Sequence, residues 1–222
     1  MPLWSVPVGH RGDRWMVFVD GENFTIRGQR VASHLELQLE QGRRWQKDAF
    51  MWVPHDGPAF PFNARTEFPR SERLEFAQPV LQERPMRSYY YAGVAGAEPD
   101  RAKVSEALWN IGFEPKVFKK DKKDEKTKAV DIALCTDILS HAYLDNYDVA
   151  MLVAGDRDYV PLIEELKHHG KVVVVAFFTG TDSGLSTELA HASDLFIDVT
   201  VAFRKSWEYL AVQRTACEGP PV

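Results

Sequence analysis

Only two cysteines, Cys135 and Cys217, occur in the 222 residues. That is too few for a disulfide framework or a cysteine-rich zinc site, and two unpaired thiols fit a reducing, cytoplasmic setting. A long apolar run is also missing. The longest strongly apolar stretch, Val172 to Phe178, is far too short to span a bilayer, so no membrane partner is expected. Met1 to Trp15 lack the apolar core of a secretory signal. Nor is there an excess of positive charge. Lys and Arg number 27 against 32 Asp and Glu, a net −5. Coating nucleic acid through global charge is thereby excluded, and any phosphate contact must come from a local patch or a bound cation.

What is present is a chain 45% hydrophobic and 27% charged, enough to bury a sizeable core. Its recurring unit is a short apolar run, a polar turn and a helical segment. Trp15 to Val19 reads as a buried strand ending at Asp20, and Arg87 to Ala92 as a second. Pro99 to Ile111 has helical spacing and is closed by Gly112; Glu114 to Phe118 is a short third strand. Thr127 can cap a helix to about His141 that turns Val130, Leu134 and Ile138 inward. Asp148 to Ala154 and Val172 to Phe178 read as further buried strands, flanking a helix that holds Pro161 in its first turn and stops at Gly170. Leu185 to Ala192 reads as a helix, Leu195 to Val199 as a last strand and Val201 to Gln213 as a closing helix. Strands without alternation, separated by amphipathic helices, predict an α/β fold with a doubly wound parallel sheet.

Residues 43–85 break this rhythm. They hold Trp45, Trp52, His55 and several prolines and arginines without a sustained period. The reading is an insertion between the first helix and the second strand, either a surface elaboration or else a lid or homodimer contact.

In an open parallel sheet, ligands collect outside the carboxyl ends of the strands. Val17 to Asp20 delivers one carboxylate there and Leu152 to Asp156 a second. Asp158 follows at the start of the next helix, and Asp131 lies in the first turn of the helix before that strand. Four carboxylates crowded at one edge repel one another, and a hard divalent cation relieves the conflict. Mg²⁺ or Mn²⁺ suits an oxygen-only set without His or Cys. Each aspartate also has a plain structural role available: Asp20 in closing a turn, Asp158 as a helix cap, Asp131 in favouring a helix N-terminus. Asp137, about 120° around the helix from Asp131, is expected to face solvent or stand behind the ligands.

Asn23, three residues past Asp20, can hold a water or a phosphate oxygen, or can cap the following helix. Ser186 can bind phosphate or cap its helix. Between Lys116 and Lys128 stand seven lysines, including Lys119, Lys120, Lys122, Lys123 and Lys128. Such a segment can track a phosphate backbone, or it can be a solvated loop. Tyr89 to Tyr91, Trp52 and Phe60 are candidates for stacking on unpaired bases.

Three ordered blocks carry a family resemblance: Phe18-Val-Asp-Gly-Glu-Asn-Phe24, Lys128-Ala-Val-Asp131 with Asp137, and Gly155-Asp-Arg-Asp-Tyr-Val-Pro-Leu162. They resemble NYN domains of the PIN-like nuclease superfamily, in particular the LabA-like branch. Gly184 to Leu189 and Asp194 to Ile197 are similar to that branch too. The likeness runs from about residue 14 to 199 apart from the insertion, so a single domain is expected. It implies a PIN-like fold and metal-dependent cleavage of phosphodiesters, most often in RNA. By position, Asp20, Asp131, Asp156 and Asp158 match the family's acidic residues, and Asn23 its characteristic asparagine. The long region 43–85 is the departure. Two further readings compete: an RNA-binding or regulatory scaffold that keeps the acidic pocket, and a phosphoryl-transfer enzyme. The latter usually needs an Asp-x-Asp pattern on the first strand, where this chain has Asp-Gly-Glu.

Overall fold

The computed structural model describes residues 14–36, 45–46, 49–50, 85–120, 128–200 and 203–204. Most of the expected insertion lies outside these residues, as do Thr127, Lys122, Lys123, Trp52, Phe60 and nearly all of the expected closing helix. Of residues 43–85, Trp45–Gln46 (β2) and Ala49–Phe50 (β3) pair as a short antiparallel ladder, and β3 lies against the first helix.

The main sheet has six strands in the order β5-β4-β1-β6-β7-β8. These are β1 (Trp15–Asp20), β4 (Arg87–Ala95), β5 (Glu114–Lys120), β6 (Val149–Val153), β7 (Val172–Phe177) and β8 (Leu195–Asp198), and every pairing is parallel. All residues of β1 and β6 are buried. Their unbroken apolar runs are what a strand covered on both faces requires. The helices are α1 (Gly21–His34), α2 (Glu98–Asn110), α3 (Lys128–Tyr143), α4 (Val160–His168) and α5 (Thr187–Ala192).

Two apolar layers hold the helices to the sheet. On one face Phe24 and Val31 of α1 and Val104 and Leu108 of α2 pack on Val17, Val19 and Tyr90. On the other, Val130, Leu134 and Ile138 of α3 and Leu162, Ile163 and Leu166 of α4 pack on Phe18, Tyr91 and Leu152. Truncating a fully buried ring such as Phe18 to alanine costs about 3–5 kcal/mol in such a layer. From β1 the chain moves toward β4 over the first face, whereas from β6 it moves toward β7 over the second. The adjacent strands β1 and β6 therefore mark the topological switch point, where a crevice opens at the carboxyl ends.

Candidate active site

The chain bends at Asp20-Gly21 from β1 straight into α1. Asp20 caps the helix, its Oδ1 accepting from the Asn23 amide at 2.9 Å. Glycine is required next: a Cβ on Gly21 would collide with the Tyr90 ring and stand 2.5 Å from the Tyr91 carbonyl oxygen. The turn after β6 is built alike. Asp156 caps a 3-10 turn, Arg157–Tyr159, by accepting from the Asp158 amide at 3.2 Å. The two turns are tied together, because the Gly155 amide donates to Asn23 Oδ1 at 3.0 Å.

Tyr159 brings the third carboxylate in. Its hydroxyl lies 2.9 Å from Asp20 Oδ2 and 3.2 Å from Asp131 Oδ1 on α3. One phenolic proton serves two carboxylate oxygens, so the bond is shared. Burial, then the charges of Asp20 and Asp131, push the Tyr159 phenol far above its ordinary range. Cys135 sits one turn beyond Asp131, and burial with the same two charges raises its thiol to about 11.

Asp20, Glu22, Asn23, Ile26, Arg27, Asp131 and Asp156 line one pocket of about 190 Å³. Sites that enclose a small molecule usually measure about 300–1,000 Å³. This one suits a single charged group of a longer ligand lying across it. Asp158, expected among the carboxylates, is exposed and does not line the pocket, because Asp156 takes the capping role and the 3-10 turn carries Asp158 outward. Glu22, Arg27 and Tyr159 were not singled out in the sequence. Glu22 and Arg27 both lie on α1 after the Asp20 turn and line the pocket, and Tyr159 directly follows Asp158.

The family model of the NYN domain matches residues 14–201. The chain belongs to the NYN domain family. It is thus a member of the PIN-like nuclease superfamily, and its six-stranded parallel sheet flanked by helices is consistent with that fold. An uncharacterized protein of Methanocaldococcus jannaschii is 32% identical over 108 residues, covering 49% of this chain and 40% of that protein. The chain thus matches well under half the length of that relative. A protein of unknown function from Vibrio parahaemolyticus has a similar fold, with a TM-score of 0.54 at 16% identity over 86% of this chain and 95% of that one.

The remaining expected site residues of this NYN domain are scattered. Lys128 is exposed at the start of α3, one turn before Asp131, and Lys119 is exposed on β5. Lys120 departs from the expected phosphate-tracking surface: it is only 8% exposed, and its ammonium is ion-paired with Glu22 at the pocket wall. A buried lysine needs such a partner. Ser186 caps α5, accepting from the Leu189 amide at 3.3 Å, while its own amide donates to the Gly155 carbonyl at 2.9 Å. Asn23 does not cap α1; its amide oxygen is taken by Gly155. Asp137 accepts from the Tyr91 hydroxyl at 2.9 Å and lies 3.5 Å from the Lys116 ammonium. Among the described residues no group of three or more His, Cys, Asp or Glu side chains is arranged to hold a metal ion, and no helix is long and apolar enough to cross a membrane.

Proposed function

We propose that this NYN domain is a Mg²⁺- or Mn²⁺-dependent endoribonuclease that hydrolyses phosphodiester bonds in single-stranded or unpaired RNA. One observation supports it above all: carboxylates from three distant segments, Asp20, Asp131 and Asp156, line a single small pocket at the switch point of a PIN-like nuclease fold. The donor set is oxygen-only. A shared hydroxyl keeps Asp20 Oδ2 and Asp131 Oδ1 close together. Mg²⁺ takes one or two carboxylates and retains waters, so the pocket fits it without a preformed cage. Asp20 and Asp131 would hold the ion and Asp156 would face it across the crevice. When bound, such an ion polarises a phosphoryl oxygen and lowers the pKa of water.

The chain's own groups prepare this arrangement. Tyr159 fixes two of the carboxylates, and Asn23 clamps the turn that carries Asp156. A second reading is a nucleic-acid-binding scaffold without turnover that uses the same pocket, with its one arginine beside the carboxylates, for binding alone. Labelled single-stranded RNA incubated with Mn²⁺, Mg²⁺ or EDTA separates the two. Cleavage with metal, none in EDTA, and loss in Asp20→Asn and Asp156→Asn are expected. Mn²⁺ at a hundred times its Kd should also stabilise the wild type by about 2.7 kcal/mol in thermal melts, and Asp20→Asn should not share that gain. RNA bound but uncut with both metals would leave the scaffold reading standing.

A further inference from the structure

Arg27 is the cation among the residues that line the pocket, set beside Asp20, Glu22, Asp131 and Asp156. Its guanidinium nevertheless makes no ion pair or hydrogen bond with them or with any other described residue. It is held from behind instead. Gly184, at φ +69°, packs so closely that a Cβ there would overlap Arg27 Nε and Cζ and stand 2.7 Å from Nη1. Only glycine takes that backbone conformation cheaply and leaves that space. The loop before α5 therefore backs a half-buried guanidinium, which carries five N–H donors. Keeping such a group partly out of water without acceptors is costly unless a ligand supplies them.

The feature continues along α1. Asn23, Arg27 and Arg30 fall at i, i+4 and i+7, which puts them on one face. Arg30 is exposed, and α1 carries no carboxylate beyond Glu22. A line of guanidinium groups thus leads out of an acid-lined pocket along a helix that offers them no counter-charge. Guanidinium groups match carboxylate and phosphate oxygens alike in a bidentate fork, and Arg27 makes no such fork with the carboxylates that line its pocket, which leaves it available to a phosphate.

We propose that Arg27 grips the phosphodiester seated in the pocket and that Arg30 holds a neighbouring phosphate, so that a single nucleic-acid strand enters along α1. This rests on the nuclease reading above and adds the path of the substrate to it. Binding is measured without turnover. Fluorescence anisotropy of a fluorescein-labelled, phosphorothioate single-stranded oligouridylate is followed in Ca²⁺ across a salt series. Each phosphate contact on a single strand contributes about 0.7 to the slope of log K against log salt. Arg27→Ala and Arg30→Ala should each lower that slope by about 0.7, and the double variant by about 1.4. Arg27→Gln, which keeps the stem's packing, should lose as much as Arg27→Ala, while Arg27→Lys should restore the slope but not the affinity.

A wild-type slope in folded Arg27→Ala and Arg27→Gln, or no binding by the wild type, overturns the proposal. If the wild type cuts RNA while these slopes stay unchanged, the α1 path falls and the nuclease reading stands. If the slopes fall but Mn²⁺ never supports cleavage, the nuclease reading falls and the strand path stands.

Discussion

The two ends of the central strands treat their aspartates in opposite ways. At the amino end Asp148 receives a two-pronged Arg14 guanidinium, with Nη2 to Oδ1 at 2.8 Å and Nε to Oδ2 at 3.0 Å. Asp145 meets the same guanidinium at 3.3 Å and the Lys171 ammonium at 2.5 Å. Two carboxylates are matched there by two cations, and the Arg14 pKa is driven upward mainly by its bond to Asp148. At the carboxyl end the bonds that Asp20, Asp131 and Asp156 accept from described neighbours come from backbone amides and one phenol. The amino end is fastened by ion pairs, whereas at the carboxyl end these described neighbours orient the carboxylates through neutral donors.

Exchanging single residues between these roles gives the largest expected effect. Asp131→Asn should cut metal-dependent cleavage on the order of a thousandfold, several kcal/mol of transition-state stabilisation, while its melting temperature in EDTA changes little, since an Asn carbonyl oxygen can still accept from the Tyr159 hydroxyl. Asp148→Asn should do the reverse, with cleavage intact and stability reduced. Paired cleavage assays and melts check this, and an Asp131→Asn protein that unfolds yet still cuts would erase the contrast.

Alkaline pH tests both ends together. Burial, the leading cause in each case, raises the phenols of Tyr90, Tyr91, Tyr147 and Tyr159 well above their ordinary range. The folded state therefore keeps protons that the unfolded chain loses. The stabilising contribution is complete below the unfolded value of about 10 and fades as pH climbs past it, by up to about 1.4 kcal/mol per pH unit for each phenol. Melts between pH 8 and 11 should fall only above that point, whereas a flat profile would mean the rings are accessible.

Salt sharpens the comparison at the smallest scale. Arg14→Ala should cost about 1 kcal/mol at low salt and less at high salt, with cleavage unchanged, since the guanidinium is 39% exposed and its ion pairs are screened. An equal loss at every salt concentration, read from denaturant melts, would assign its role to packing.

The sheet was legible because its central strands are unbroken apolar runs. Trp15 to Val19, Asp148 to Ala154 and Val172 to Phe178 all fall within a residue or so of β1, β6 and β7, and the inward set Val130, Leu134 and Ile138 is buried as spaced. Asp20, Asp131 and Asp156 were legible as residues of one edge because strand ends and a helix start locate them. What stayed hidden depends on neighbours distant in sequence. Nothing local separates Lys120 from the lysines around it; its burial follows from Glu22, 98 residues away. The outward turn of Asp158 follows from a 3-10 geometry that an Asp-x-Asp spacing does not specify. Arg27 reads as an ordinary helical arginine until the loop at Gly184 closes over it.

The Tyr159 hydroxyl reaches Asp20 across 139 residues and Asp131 across 28. Contacts so remote carry a loop-closure entropy cost that local contacts do not. A chain emerging from the ribosome carries Asp20 well before Tyr159, and it cannot complete the crevice until Tyr159 has been made and β6 has joined β1. Until then, beside ribosomal and messenger RNA, the polypeptide holds only scattered acids, and the assembled pocket arrives with the joining of β6 to β1.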